Sequence, residues 1–149
     1  MTVKRPFAIR EPATSEDFKI YYDLRWRILR APWGRPRGSE SDESETRSIH
    51  LMAVDEAEKI VGAGRVQFNS EEEGQIRSMA VEDAWQGRGV GGAILTELEK
   101  RAKARGVKLM LLDSRETAVK FYEKHGYRVE SPSYTLFGTI PHFRMRKEL

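Results

Sequence analysis

The residues best suited to chemistry stand in one short run, "QGRGVGG", which sets Gly87, Gly89, Gly91 and Gly92 around Arg88 and Val90. Gly87, Gly89 and Gly92 have the G-x-G-x-x-G spacing of a dinucleotide fingerprint, and Asp113 follows about 20 residues later, where a ribose-binding carboxylate would stand. Glycines ahead of a helix let the backbone bend tightly and leave its first N–H groups unpaired. With the helix dipole behind them, those groups make a seat for a pyrophosphate, to which Arg88 adds a charge-assisted contact. The surroundings argue against a nicotinamide or flavin site. The preceding strand stops at Val81, leaving "EDAWQ" before Gly87, and the segments upstream form a meander rather than βαβ units. A P-loop fails because no Lys-Ser or Lys-Thr follows the glycines. Two readings stay open: a glycine-rich helix start with no ligand, and a phosphate seat for another nucleotide cofactor.

Other chemistries are limited by composition. The chain has no cysteine, which removes disulfides, thiolate metal sites and a cysteine nucleophile. Its three histidines, His50, His125 and His142, have no metal-ligand spacing, so no metal site is expected. Charged residues make up 33% of the chain but both signs are mixed, the net charge is only +3, and no basic run is interleaved with aromatics. A nucleic-acid partner is therefore not expected, despite a pI near 9.2. The N-terminal "MTVKRPFAIREP" lacks a signal-peptide core and no window suits a membrane span, so a cytoplasmic location without a membrane partner is expected.

The elements that must position the glycines follow from periodicity. "FAIREP" reads as a short strand closed by Pro12. A helix follows over "TSEDFKIYYDLRWRILR", with Thr14 and Asp17 as a capping box and an apolar stripe interrupted by Arg25. "APWGRPRGSESDESE" is a long loop whose acidic end, Glu40 to Glu45, reads as solvated. "SIHLMAVD", "KIVGAGRVQFN" and "QIRSMAV" form a β-meander leading into the glycine run. A helix over "VGGAILTELEKRAKARG" ends at Gly106, and "VKLMLLD" reads as a buried strand. Ser114 then caps a helix over "RETAVKFYEKHG", and strands around "YTLF" and "HFRMRKE" close the chain. The length of 149 residues suits one domain over 1–149.

"MAVEDAWQGRGVGGAIL" resembles the acyl-CoA-binding signature of the GNAT N-acetyltransferase superfamily, a strand followed by Q/R-x-x-G-x-G/A, with Gln86, Gly89 and Gly91 at the signature positions. "AVKFYEKHGYRV" is similar to that superfamily's second signature, with Ala118, Phe121, Tyr122 and Gly126 in place. "YYDLRWRILR", the acidic loop with His50, and "GTIPHFRM" further resemble a small ElaA-like branch. The resemblance implies an α/β fold: a mixed, mostly antiparallel sheet with a splayed central pair of parallel strands, flanked by helices.

It also implies acetyl transfer from acetyl-CoA to a primary amine, on a small molecule or a peptide. Met79, Ala80 and Val81 would pair with the pantetheine arm, one of their N–H groups polarising the thioester carbonyl. Arg88, Gly89, Val90, Gly91 and Gly92, with Gln86 and Gly87 in the turn, would hold the pyrophosphate. Tyr122 matches the tyrosine that relatives use as general acid toward the CoA sulfur, a task suited to a phenol. Packing is the plain alternative, because Ala118, Phe121, Tyr122 and His125 share one helix face. Asp113 stands where relatives carry an asparagine that contacts cofactor or substrate, and a carboxylate cannot donate there. Many relatives have a glutamate base where this chain has Gln75, which leaves His50, His142, Glu43 or no dedicated base. Trp26 and Trp33, with Tyr21 and Tyr22, are candidates to line the acceptor pocket, and the acidic loop would favour a cationic amine. A non-catalytic acyl-CoA-binding module is the competing class. The resemblance also implies a homodimer, for which no residue pattern here speaks.

Overall fold

The first helix, α1 (Ser15–Leu29), begins with the capping box that its sequence predicts. Thr14 Oγ1 accepts from the Asp17 N–H at 3.0 Å, and the Asp17 carboxylate accepts from the N–H groups of Ala13 and Thr14. The same carboxylate pairs with Arg10 at 2.8 Å; Arg10 and those backbone donors hold it well below the usual carboxylate range. The computed structural model describes residues 6–149. Its strands are β1 (Phe7–Arg10), β2 (Ile49–Asp55), β3 (Ile60–Phe68), β4 (Glu73–Val81), β5 (Leu109–Arg115), β6 (Arg128–Leu136) and β7 (Ile140–Glu148). They form one sheet in the order β1-β2-β3-β4-β5-β7-β6, antiparallel throughout except for the parallel pair β4–β5.

Helices cover both faces. On one, α2 (Val90–Ala104) buries Ile94, Leu95 and Leu98 against Leu51, Val66, Ile76, Met110, Leu112 and Met145, and α3 (Val119–Lys124) adds Tyr122. On the other, α1 sets Tyr21 and Leu24 against Met52, Val54, Ile60 and Ala63. The close approach of α2 depends on β3: a Cβ on Gly64 would lie 2.5 Å from Met79 Sδ and 2.8 Å from Ile94 Cγ2. No helix among the described residues is long and apolar enough to cross a membrane.

The sequence reading needs two corrections. Ser114 caps nothing: β5 runs on to Arg115, and the Ser114 hydroxyl donates to the Arg115 carbonyl at 2.8 Å. A 3₁₀ turn, Glu116–Ala118, then leads into α3 without a side-chain cap. The acidic loop is not simply solvated either. Arg25, the interruption in the α1 stripe, is fully buried and forms a fork with Glu45 at 2.7 and 2.9 Å, while its Nη2 also donates to the Glu40 carbonyl. Arg65 of β3, 1% exposed, donates to Asp42 and to Ser48 Oγ (3.1 Å), and lies 3.5 Å from a Glu45 oxygen. Glu43, between these two acids, points into solvent.

Two buried guanidinium groups therefore draw the loop down onto α1 and β3. Burial pushes the Glu45 carboxyl up, but Arg25 and Arg65 outweigh it and hold the group below its ordinary range. Asp42 behaves alike, with Arg65 overcoming its desolvation. For a carboxyl lowered in this way, the stabilisation is present at neutral pH and is lost as pH falls through the folded-state value. Urea unfolding should show Glu45→Ala losing about 3–5 kcal/mol, because Arg25 is left buried without its partner. Glu43→Ala should stay within about 0.5 kcal/mol. Wild-type stability should also decline below about pH 4. Equal effects from the two substitutions would contradict this account of the loop.

Candidate active site

The parallel pair is short. β4 and β5 are paired only at Glu73–Leu109, Gly74–Met110 and Gln75–Leu111, after which they part. β5 continues against β7 on its far edge as far as Arg115–His142. β4 meanwhile carries a bulge, since its register with β3 steps from Arg65–Arg77 to Ala63–Ala80. Ser78 sits in the extra position with φ 57°, left-handed for a residue with a side chain, and its Oγ lies 3.5 Å from Arg65 Nε. The extra residue puts Met79, like Ile76, on the face that packs against α2. Past Gln75, the edge of β4 that faces β5 has no strand partner among the described residues, and Met79, Ala80 and Val81 stand on that edge. Its backbone groups are open to an extended ligand with amides of its own.

α2 starts beside the mouth of this gap. A 3₁₀ turn, Asp83–Trp85, leads through exposed Gln86, Gly87 and Arg88 to Gly89, the N-cap, at φ 85°. No side chain caps the helix and no acid stands in its first turn, so the leading N–H groups and the dipole are left for an anion. Arg88 lies over the Trp85 ring at 5.0 Å. Gly91 and Gly92 are faced by α3: a Cβ on them would lie 3.3 Å from the Phe121 ring and 2.9 Å from the His125 ring. These two glycines thus dock α3 against the start of α2.

That docking packs Tyr122 into the core within reach of the charge of Arg115, at the end of β5. The ring is 8% exposed and packs edge-on against Phe121 and Tyr127. Its hydroxyl has no hydrogen-bond partner among the described residues. Burial drives the phenol well above its ordinary value, and the charge of Arg115 opposes the shift only in part, so the group is protonated at neutral pH. Asp113 is engaged within the sheet: its carboxylate takes a two-pronged bond from Arg144 at 2.8 and 3.1 Å, with Gln75 Nε2 at 3.4 Å, and so fastens β5 to β7.

The candidate acceptor residues separate into two groups. His50 is buried beneath α1, with Nε2 donating to the Glu45 carbonyl at 2.6 Å and Nδ1 2.8 Å from the Tyr21 hydroxyl. Both ring nitrogens are occupied and burial holds the imidazole neutral, so His50 supports the loop instead of serving as a base. Glu43 is exposed and away from it. Trp26 donates to the Arg35 carbonyl at 3.0 Å and stacks under Arg37. Trp33 instead meets the β6–β7 hairpin, to which His142 belongs. Trp33 lies 6.4 Å from Phe137, and His142 stacks on Tyr134 at 4.5 Å, directly across from Arg115. The His142 Nδ1–H donates to the Ile140 carbonyl at 3.0 Å, which leaves Nε2 as a lone pair. Burial lowers its pKa below the ordinary histidine value, with help from Arg115 and Arg30 and against Ile140 and Asp113.

Arg30, Arg115 and Tyr134 escape a reading of the sequence. Arg115 looks like a residue of the helix until β5 proves longer, and nothing local marks the other two.

Residues 38–149 match the family described as "Acetyltransferase (GNAT) domain". The chain is 36% identical over 133 residues to the uncharacterized N-acetyltransferase YjcF of Bacillus subtilis, an alignment covering 89% of this chain and 94% of that protein. Escherichia coli ElaA shares the fold with a TM-score of 0.80 at 17% identity, covering 95% and 98% of the two chains. So does an aminoglycoside 6'-N-acetyltransferase solved with coenzyme A, at TM-score 0.79 and 20% identity over 95% and 96%. With the family match over residues 38–149 and a relative aligned along most of its length, the chain belongs to the GNAT acetyltransferase family.

Proposed function

We propose that the protein moves an acetyl group from acetyl-CoA to a primary amine by direct attack, with Tyr122 as general acid and His142 as general base. The observation that carries this reading is the parting of β4 from β5 beside an uncapped helix start. Met79, Ala80 and Val81 pair with the pantetheine amides, and an N–H among them faces the thioester carbonyl, where negative charge develops. The N–H groups from Gly89 to Gly92, with Arg88 and the turn at Gln86 and Gly87, hold the pyrophosphate.

The acceptor amine approaches from the side of Trp33 and the β6–β7 hairpin. Its nitrogen bonds to the carbonyl carbon as the carbon–sulfur bond breaks. One proton passes from the nitrogen to His142 Nε2, and one passes from the Tyr122 hydroxyl to sulfur; both side chains then return to their resting states by exchange with solvent. A phenol kept protonated by burial suits the acid, and an imidazole kept neutral with its tautomer fixed suits the base. Gln75, where relatives place a glutamate, then needs no proton-accepting role.

Tyr122→Phe should lower kcat by about 10²–10⁴-fold, while calorimetric affinity for acetyl-CoA stays within about threefold. A parallel loss of affinity would make Tyr122 a packing residue. His142 must be neutral to act, so kcat/KM should rise with pH through a midpoint below about pH 6.5 and then level off, apart from the amine's own titration. Arg115, Arg30, Asp113, Tyr134 and the Ile140 carbonyl are the groups that set this midpoint. His142→Gln should abolish that acid limb; a pH profile identical to wild type would remove His142 from the mechanism.

A further inference from the structure

The acceptor side is cationic, contrary to what the acidic loop suggests. Asp42 and Glu45 are consumed by Arg65 and Arg25, and Asp113 by Arg144. What remains is a pair of arginines at the mouth of the gap. Among the described residues, Arg30 and Arg115 are the two arginines that are half-buried yet have no carboxylate partner. The other unpaired arginines, Arg35, Arg47, Arg88 and Arg105, are exposed.

The two converge on one place. Arg30, at the end of α1, lies over Phe137 at 5.6 Å and spends its Nε on the Ser39 carbonyl, leaving its terminal nitrogens without a partner among the described residues. Arg115 stands across from His142, which stacks on Tyr134. Burial lowers the pKa of both, the charge of Arg115 adds to the effect at Arg30, and neither guanidinium has a carboxylate against it. Half-buried guanidinium groups left in this state call for an anion, and their forked geometry fits a carboxylate or a phosphate.

We infer that Arg30 and Arg115 select an acceptor that carries a carboxylate or phosphate close to its primary amine, so that anchoring the anion presents the nitrogen to His142. This rests on the acetyltransferase reading above. It excludes polyamines and other purely cationic amines as preferred acceptors.

Matched acceptors test it: phosphoethanolamine against ethanolamine, glycine against glycinamide, and putrescine as a cationic control, with the full chain and saturating acetyl-CoA. The anionic member of at least one pair should win by about tenfold or more in kcat/KM, and which pair responds separates phosphate from carboxylate. Arg115→Gln and Arg30→Gln should each raise the acceptor KM and cut that preference about tenfold, with Arg115→Lys recovering part of it and acetyl-CoA KM unchanged. Putrescine used as well as the anionic amines would overturn the inference. So would variants that raise the acetyl-CoA KM instead, because the arginines would then serve the donor. Wild-type protein that fails to bind acetyl-CoA would bring down the acetyltransferase reading itself, whereas binding with equal use of every amine would bring down only the acceptor class.

Discussion

Arg65 is the side chain on which the active-site architecture turns. A guanidinium at 1% exposure in the middle of β3 has to be surrounded by acceptors, and its partners come from two places. Asp42, Glu45 and Ser48 belong to the segment between α1 and β2, where Glu45 also joins Arg65 to buried Arg25 of α1, and Ser78 is the bulge residue of β4. One charge thus ties the loop, the helix beneath it and the bulge together. The bulge matters because it bends β4 where its pairing with β5 stops. A straight β4 would extend the parallel ladder toward Val81 and Arg115 and leave no unpaired edge.

The consequence is a division of labour across the sheet. On the α2 face, apolar packing brings α3 up to the glycine turn and sets Tyr122 in a dry, protonated state. On the other face, strand alternation along β5 and β7 lines up Asp113 with Arg144 and Arg115 with His142. The first of these pairs is neutralised and structural. The second leaves a charge and a lone pair unspent at the mouth of the gap. In the proposed mechanism, donor and acceptor chemistry reach the same strand end from opposite sides, which is what a direct transfer requires.

The parts of the site made by local rules were legible in the sequence. The glycine spacing located the start of α2 and the capping box located α1, both on a chain whose meander and parted central strands have the expected order. The parts made by distant pairing were not. Arg25 looked like a flaw in an apolar stripe, and its partner Glu45 stood in a run of acids that reads as wet. Only tertiary structure distinguishes Glu45 from Glu43, two residues apart. His50 and His142 are equally plain in sequence, yet one has both nitrogens engaged and the other has one free. Arg115 was hidden by a boundary error, because Ser114 is a good cap by type but β5 had further partners in β7.

The central claim is that the gap between β4 and β5, with the glycine turn, is a seat for acetyl-CoA. Calorimetric titration of the full chain with acetyl-CoA, CoA and NADH tests it most directly. The account predicts saturable binding of acetyl-CoA and CoA at one site per chain, and no binding of NADH at the same concentrations. Absence of heat and of thermal stabilisation with saturating acetyl-CoA would contradict it, leaving the glycines as a device for packing α3 against α2.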